Sequence, residues 1–299
     1  MLVELIERPV RRTSRHVWDL AADASEACGG TREAAAPVAA AVFCSMYSIH
    51  LVDDLLDEDP DGIYHRLGVG RAANGALALQ ALAGRVVEAE IDDPQTRALL
   101  QAELCRTAYD TARGQDLDSL DVDREEAYWD VVLLKTPPLF RCGLYGGALV
   151  GGASPSAAEE LAGLGDEIGE IVQVNDDLHD ALARPASADW TRDATNLAIL
   201  YARVAEHPAR ERFEALRDRA EESAALVELQ EILIECGSVS YCAYRLLEAH
   251  RRALERLDRL QMARPEVLAG VVDAYFSPLR RLFETVGVDA AEIMRQLQT

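Results

Sequence analysis

Apolar residues recur three and four positions apart through nearly every long segment of this 299-residue chain, while strand-like alternation and paired turn dipeptides are scarce. That spacing confines the chain to packed helices. It predicts helices over 3–27, 34–58, 64–90, 94–113, 122–135, 138–151, 156–184, 190–205, 209–235, 238–262 and 265–297, the last broken near Pro278. Ala, Leu, Val, Glu and Arg fill these stretches, a mixture that favours helix over strand. Breaks fall on helix-stopping chemistry: "CGGT" at 28–31, "DEDPDG" at 57–62, "DDP" at 92–94, "RGQDLDSLD" at 113–121 and "GGASPS" at 151–156. None is long enough to act as an interdomain linker, so one all-α domain over 1–299 is expected.

The 30 basic residues are outnumbered by 52 acidic ones, for a formal charge of −22. That balance opposes binding to nucleic acid through its phosphates and gives no attraction to an anionic lipid surface. Residues 1–20 are interrupted by Glu4, Glu7, Arg8, Arg11, Arg12 and Asp19, unlike a secretory leader, so a cytoplasmic protein is expected. The longest apolar stretch, Ala34 to Val52, contains Pro37, Ser45, Ser48 and His50 and ends on carboxylates. It reads as a buried helix and not as a membrane span. Cys28, Cys44, Cys105, Cys142, Cys236 and Cys242 form no CxxC pair and match no zinc framework, which makes them buried thiols. Lys135 is the only lysine in the chain.

Two aspartate clusters carry the chemistry: "DDLLD" with Asp53, Asp54 and Asp57, and "NDDLHD" with Asp176, Asp177 and Asp180. Each follows an apolar helical run. Residues four apart project about 40° from each other on a helix, so each cluster presents two carboxylates on one face. Carboxylates gathered near a helix C-terminus meet the negative end of the helix dipole as well as one another, and a cation offsets that cost. One such run is as readily a solvated acidic face. Two in matching contexts, roughly 120 residues apart, point to hard divalent cations holding a diphosphate.

The surrounding motifs sharpen this. In order they are "GG" at 29–30, "LVDDLLDED" at 51–59, "HRLG" at 65–68, "GQDLD" at 114–118, "KTPPLF" at 135–140, "GALVGG" at 147–152, "VQVNDDLHD" at 172–180 and "NLAILYA" at 196–202. Between residues 29 and 202 the chain resembles the trans-isoprenyl diphosphate synthases, or polyprenyl synthetase family. The resemblance implies an isoprenoid-synthase-type bundle of long helices around a deep apolar cavity, with the acidic clusters facing across its mouth, and a homodimer. It also implies three Mg²⁺ ions gripping the diphosphate of an allylic prenyl substrate. Carried over residue by residue, Asp53, Asp57 and Asp176 are expected as direct metal ligands, and Asp54, Asp177 and Asp180 as water-binding or completing ligands. Lys135 matches the family's diphosphate-binding lysine, Thr136 its neighbour beside the carbocation, and Gln173 the glutamine preceding the second cluster. Gln115 and Asp118 match "GQxxD", and Asp118 is placed to orient Lys135 by a charge-assisted hydrogen bond. The chemistry is coherent: metals neutralise the leaving diphosphate and an apolar cavity shields the cation from water.

Departures from the pattern concern the second substrate. The family's "GGKRxRP" reads "GGTREAAAP" here and keeps only Arg32; the segment after the first cluster offers only Arg66; Ala194 stands where a lysine is usual after the second. Each lost charge-assisted hydrogen bond to a second diphosphate is worth about 1.5–3 kcal/mol. Arg66, Arg71, Arg184 and Arg192 are candidate substitutes. A similar pattern, with clusters kept and basic motifs eroded, is seen in the divergent prenyltransferase of moenomycin biosynthesis.

The leading reading is a Mg²⁺-dependent prenyltransferase passing its prenyl group to isopentenyl diphosphate or a non-standard acceptor. A terpene cyclase acting on one diphosphate alone is the first alternative, although the usual cyclase metal motif after Asn175 is replaced by His179 and Ala183. A non-catalytic regulatory subunit is the second. His50, His65 and His179 read as structural histidines. Ser48, Ser45 and Tyr47, one to two turns before Asp53, are candidates for setting donor length, depending on helical phase.

Overall fold

The computed structural model describes residues 16–118, 122–191 and 195–285. Among them there is no strand. In chain order the helices are α1 (Asp19–Ala27), α2 (Ala36–Leu56), α3 (Tyr64–Leu67), α4 (Val69–Glu90), α5 (Pro94–Asp118), α6 (Glu125–Lys135), α7 (Pro137–Val150), α8 (Pro155–Ala162), α9 (Leu164–Leu182), α10 (Ala188–Thr191), α11 (Leu197–Val204), α12 (Arg210–Arg217), α13 (Ser223–Glu235), α14 (Ser238–Arg259) and α15 (Pro265–Thr285).

The all-α expectation holds, and the differences are local. The 64–90 segment is two helices, because Gly68 adopts a left-handed φ of +83° between α3 and α4. The 156–184 segment divides at Gly163, and 209–235 divides between α12 and α13. The "RGQDLD" stretch, expected as a break, continues α5 to Asp118. Pro278 does not break α15: Phe276 and Leu279 beside it are each 2% exposed, and their burial holds the helix through the missing N–H. The starts of the expected 3–27 helix and the end of the 265–297 helix lie outside the described residues.

The chain divides into two compact units. The first takes the described parts of Met1–Ala112, Pro138–Asp166 and Leu257–Ala269. Here α2 packs extensively on α4, and Ser48 joins them by donating its Oγ–H to the Ala76 carbonyl at 2.8 Å. Ser48 is thus a buried helix-to-helix contact, which settles the phase that the sequence left open. A small-residue face of α7 lies against α1: a Cβ on Gly147 would stand 2.1 Å from the Ala21 carbonyl oxygen, so only hydrogen fits. The α2 segment from Glu33 to Leu56 is long and apolar enough to cross a membrane by length and composition, and half of its most apolar window is buried inside the protein.

The second unit takes Arg113–Pro137, Glu167–Arg256 and the described part of Gly270–Thr299. Its core gathers Tyr128, Ile171, Val174, Phe213, Leu229, Leu246 and Phe276. An arginine row on α14 ties that helix to α9: Arg245 Nη2 donates to Glu170 Oε1 at 2.9 Å, Arg252 also pairs with Glu170, and Arg256 binds Glu167 at 2.7 Å. Arg245 additionally reaches Glu125 of α6 and lies 3.7 Å over the Trp129 ring. The helix carrying the second aspartate cluster is therefore held in register by buried carboxylates as well as by apolar packing.

No disulfide joins the six cysteines; Cys44, Cys142 and Cys242 are buried as expected, whereas Cys105 is exposed. Burial pushes the Cys142 thiol up to about 12, which makes it inert at neutral pH.

Candidate active site

The first cluster closes α2. Asp53 and Asp54 are half-buried in its last turn, and Asp57 is the exposed C-cap, its N–H donating to the Asp53 carbonyl at 2.9 Å. Burial raises the Asp54 pKa, and the Asp59, Asp53 and Asp57 charges add to the rise while His50 opposes it. The chain then turns through Glu58, at a left-handed φ of +51°, into an Asx turn where Asp61 N–H donates to Asp59 Oδ1 at 2.8 Å. Arg66 follows, exposed, in the last turn of α3. Arg32 is committed nearby in sequence to Asp23 at 2.6 Å and Glu26 at 3.2 Å.

In the second unit, packing fixes the site from the backbone outward. Gly169 on α9 lets Pro137 approach so closely that a Cβ would stand 2.6 Å from the ring, and this seats the α6–α7 turn on α9. Four residues on from Gly169 is Gln173, and the turn residue Thr136 donates its Oγ–H to Gln173 Oε1 at 2.8 Å. Gly114 similarly lets the end of α5 pass α6, since a Cβ there would stand 2.7 Å from the Lys135 nitrogen. Along that α5 end lie Gln115, half-buried, and Asp118, whose Oδ2 accepts from Lys135 Nζ at 2.5 Å. The pairing expected from the motif match is present, with both side chains mostly shielded from solvent.

The aspartates of α9 part company. Asp176 keeps an open, solvent-exposed side, yet crowding by protein on its other side pushes its pKa up to about 6, with Asp180 adding to the rise and His179 opposing it. Asp180, half-buried, is raised for the same first reason. Asp177 points inward and is 2% exposed. Its Oδ2 accepts from Tyr128 Oη at 2.7 Å and from Leu197 N–H at 2.7 Å, and its Oδ1 accepts from Gln173 Nε2 at 2.9 Å. Burial pushes Asp177 up to about 7, and those three donors pull it back toward the ionised form.

Three residues outside the predicted set complete this region. Asn196 caps α11 through Oδ1, accepting from Ala198 and Ile199, while its Nδ2 donates to the Asp177 carbonyl at 2.9 Å and to Asp189 Oδ2 at 2.8 Å. Asp189, on α10, is raised by burial first and then by Asp180 and Asp118, with Lys135 opposing. Tyr128 is fully buried. Asn196 was within a quoted motif, so its N-cap position was a readable signal; Tyr128 and Asp189 had none. Of the substitute arginines, Arg184 is engaged with Gln230 at 2.7 Å, and Arg192, like Ala194, lies outside the described residues.

The donor chemistry suits Mg²⁺. Among the described residues no three His, Cys, Asp or Glu side chains enclose an ion by themselves. Mg²⁺ keeps several of its waters and takes one or two protein carboxylates together with phosphate oxygens. Asp53, Asp54, Asp57, Asp176 and Asp180 offer such oxygens at the ends of their helices.

Known proteins are similar to this chain. The family described as Polyprenyl synthetase matches residues 15–233. The short chain isoprenyl diphosphate synthase of Methanothermobacter thermautotrophicus is 30% identical over 274 residues, covering 85% of this chain and 83% of that protein. Among solved structures, the geranylgeranyl pyrophosphate synthetase of Pyrococcus horikoshii Ot3 superposes with a TM-score of 0.83 at 20% identity, over 92% of this chain and 89% of that one. The geranylgeranyl pyrophosphate synthase of Corynebacterium glutamicum, complexed with calcium and isoprenyl diphosphate, gives 0.77 at 22% identity, over 93% and 89%. With both acidic motifs, the lysine–threonine turn and the glutamine on helices that superpose in this way, the chain belongs to the polyprenyl synthetase family, the trans-isoprenyl diphosphate synthases, and is a prenyltransferase.

Proposed function

We propose that this protein ionises an allylic prenyl diphosphate in a Mg²⁺-dependent reaction and transfers the prenyl group to isopentenyl diphosphate or to a non-standard acceptor. The observation that carries the reading is in the second unit. Asp176 and Asp180 lie four residues apart on helix α9, which also carries Gln173; burial raises the pKa of both, and the Asp180 charge adds to the rise at Asp176, a cost that a bound cation relieves. By likeness to the family, the carboxylates of Asp53, Asp54 and Asp57 and those of Asp176 and Asp180 are the groups that would hold metal ions, three in number. When bound, Mg²⁺ neutralises the departing diphosphate.

The remaining work falls to the chain's own groups. Lys135, aimed by Asp118, meets a diphosphate oxygen, with Gln115 near Asp118 on α5. Thr136 donates its proton to Gln173 and so turns its oxygen lone pairs outward, where they face a developing carbocation. Arg66, with Arg71 five residues on, follows the first cluster and assists the second substrate. A homodimer is the expected assembly, checked by sedimentation.

Purified protein incubated with geranyl or farnesyl diphosphate, Mg²⁺ and either isopentenyl diphosphate or other acceptors should release diphosphate and yield a longer or prenylated product. A cyclic hydrocarbon from one diphosphate alone would indicate cyclisation instead. No turnover with any allylic donor, together with no metal-dependent binding, would overturn the reading.

A further inference from the structure

We infer that Asp177 is a positioning residue that sets the direction of the hydrogen bonds reaching Thr136, and that it holds no metal. This inference rests on the prenyl-transfer reading and adds to it the role of one aspartate. Both carboxylate oxygens of Asp177 are already engaged: Oδ2 by the Tyr128 hydroxyl and the Leu197 amide, and Oδ1 by Gln173. The side chain points into the protein, whereas Asp176, its neighbour in the same motif, is exposed.

The direction follows from what each group can offer. Asp177 accepts at both oxygens, and Gln173 presents its NH₂ to Oδ1. Its Oε1 is then left facing Thr136, and the threonine hydroxyl can only donate to it. Protons thus run one way along the chain, from Thr136 through Gln173 to Asp177, and the Thr136 lone pairs are left for a nearby positive charge. An asparagine at 177 reverses this. The amide oxygen must serve the two fixed donors, Tyr128 and the Leu197 N–H, which leaves its NH₂ facing Gln173. Gln173 then turns its own amide over and donates to Thr136, whose hydroxyl proton swings outward, toward the place where positive charge builds.

The test compares wild type with D177N, D176N, T136V and the D177N/T136V double variant. Calorimetry with Mg²⁺ and inorganic diphosphate reads the metal role. D177N should bind within about twofold of wild type, while D176N should lose on the order of tenfold or more. The side-chain NH₂ resonances of Gln173, identified by their loss in Q173L, should shift in ligand-free D177N. Turnover of an allylic donor should fall on the order of tenfold or more in D177N at unchanged KM, and T136V should cost less in D177N than in wild type. D177N losing metal–diphosphate binding as D176N does, or a T136V effect equal in both backgrounds, would overturn the inference. If wild type itself binds no Mg²⁺–diphosphate, the prenyl-transfer reading fails separately; the Gln173 resonances still report the hydrogen-bond direction, and their indifference to D177N would sink it.

Discussion

The two aspartate triplets look alike in one-letter code, yet their surroundings differ. In the first, Asp53 and Asp54 are half-buried and Asp57 is exposed at the helix end, so all three keep access to solvent. In the second, Asp176 is exposed and Asp180 half-buried, but Asp177 is buried and accepts from three donors on three different helices. A shared motif therefore does not mean a shared division of labour. Packing decides which carboxylate stays open to solvent and which is enclosed.

The sharpest way to break that comparison is to neutralise the outward members. D53N and D176N should each lower turnover on the order of a hundredfold or more, with a raised Mg²⁺ requirement and unchanged or higher thermal stability, as steady-state rates, metal titration and melting would show. Truncating the inward member should do the opposite. D177A leaves Tyr128, Gln173 and the Leu197 amide without their acceptor and should cost about 3–5 kcal/mol in denaturant unfolding, whereas D54A should cost less than about 1 kcal/mol. A smaller effect refines the contrast: Y128F removes one of those donors and should cost about 1–2 kcal/mol, with Mg²⁺ dependence unchanged. Least of all, E170Q weakens the Arg245 and Arg252 pairing that holds α9 in register. It should lower stability by about 1 kcal/mol and move the Mg²⁺ requirement less than twofold.

Much of this was legible before any coordinates. Helical spacing gave the class, and the order of motifs gave the family. The misread boundaries have local causes: Gly68 takes a left-handed turn inside a periodic run, and "GQDLD" stays helical because Gly114 lets α5 press against α6 and Asp118 meets Lys135. The inward turn of Asp177 was within reach. Ile171, Val174, Leu178 and Ala181 form the buried stripe of α9, and position 177 falls between Val174 and Ala181 on that stripe. What no spacing revealed was its partners, because Tyr128 and Leu197 come from 49 and 20 residues away.

The Lys135–Asp118 contact has a practical corollary. Since no other lysine exists in the sequence, an amine-selective acylating reagent finds one side-chain target in the whole protein, and that target is half of a salt link. A mass increment on the peptide carrying Lys135, and its suppression when an anionic substrate arrives, would turn the protein into its own occupancy meter.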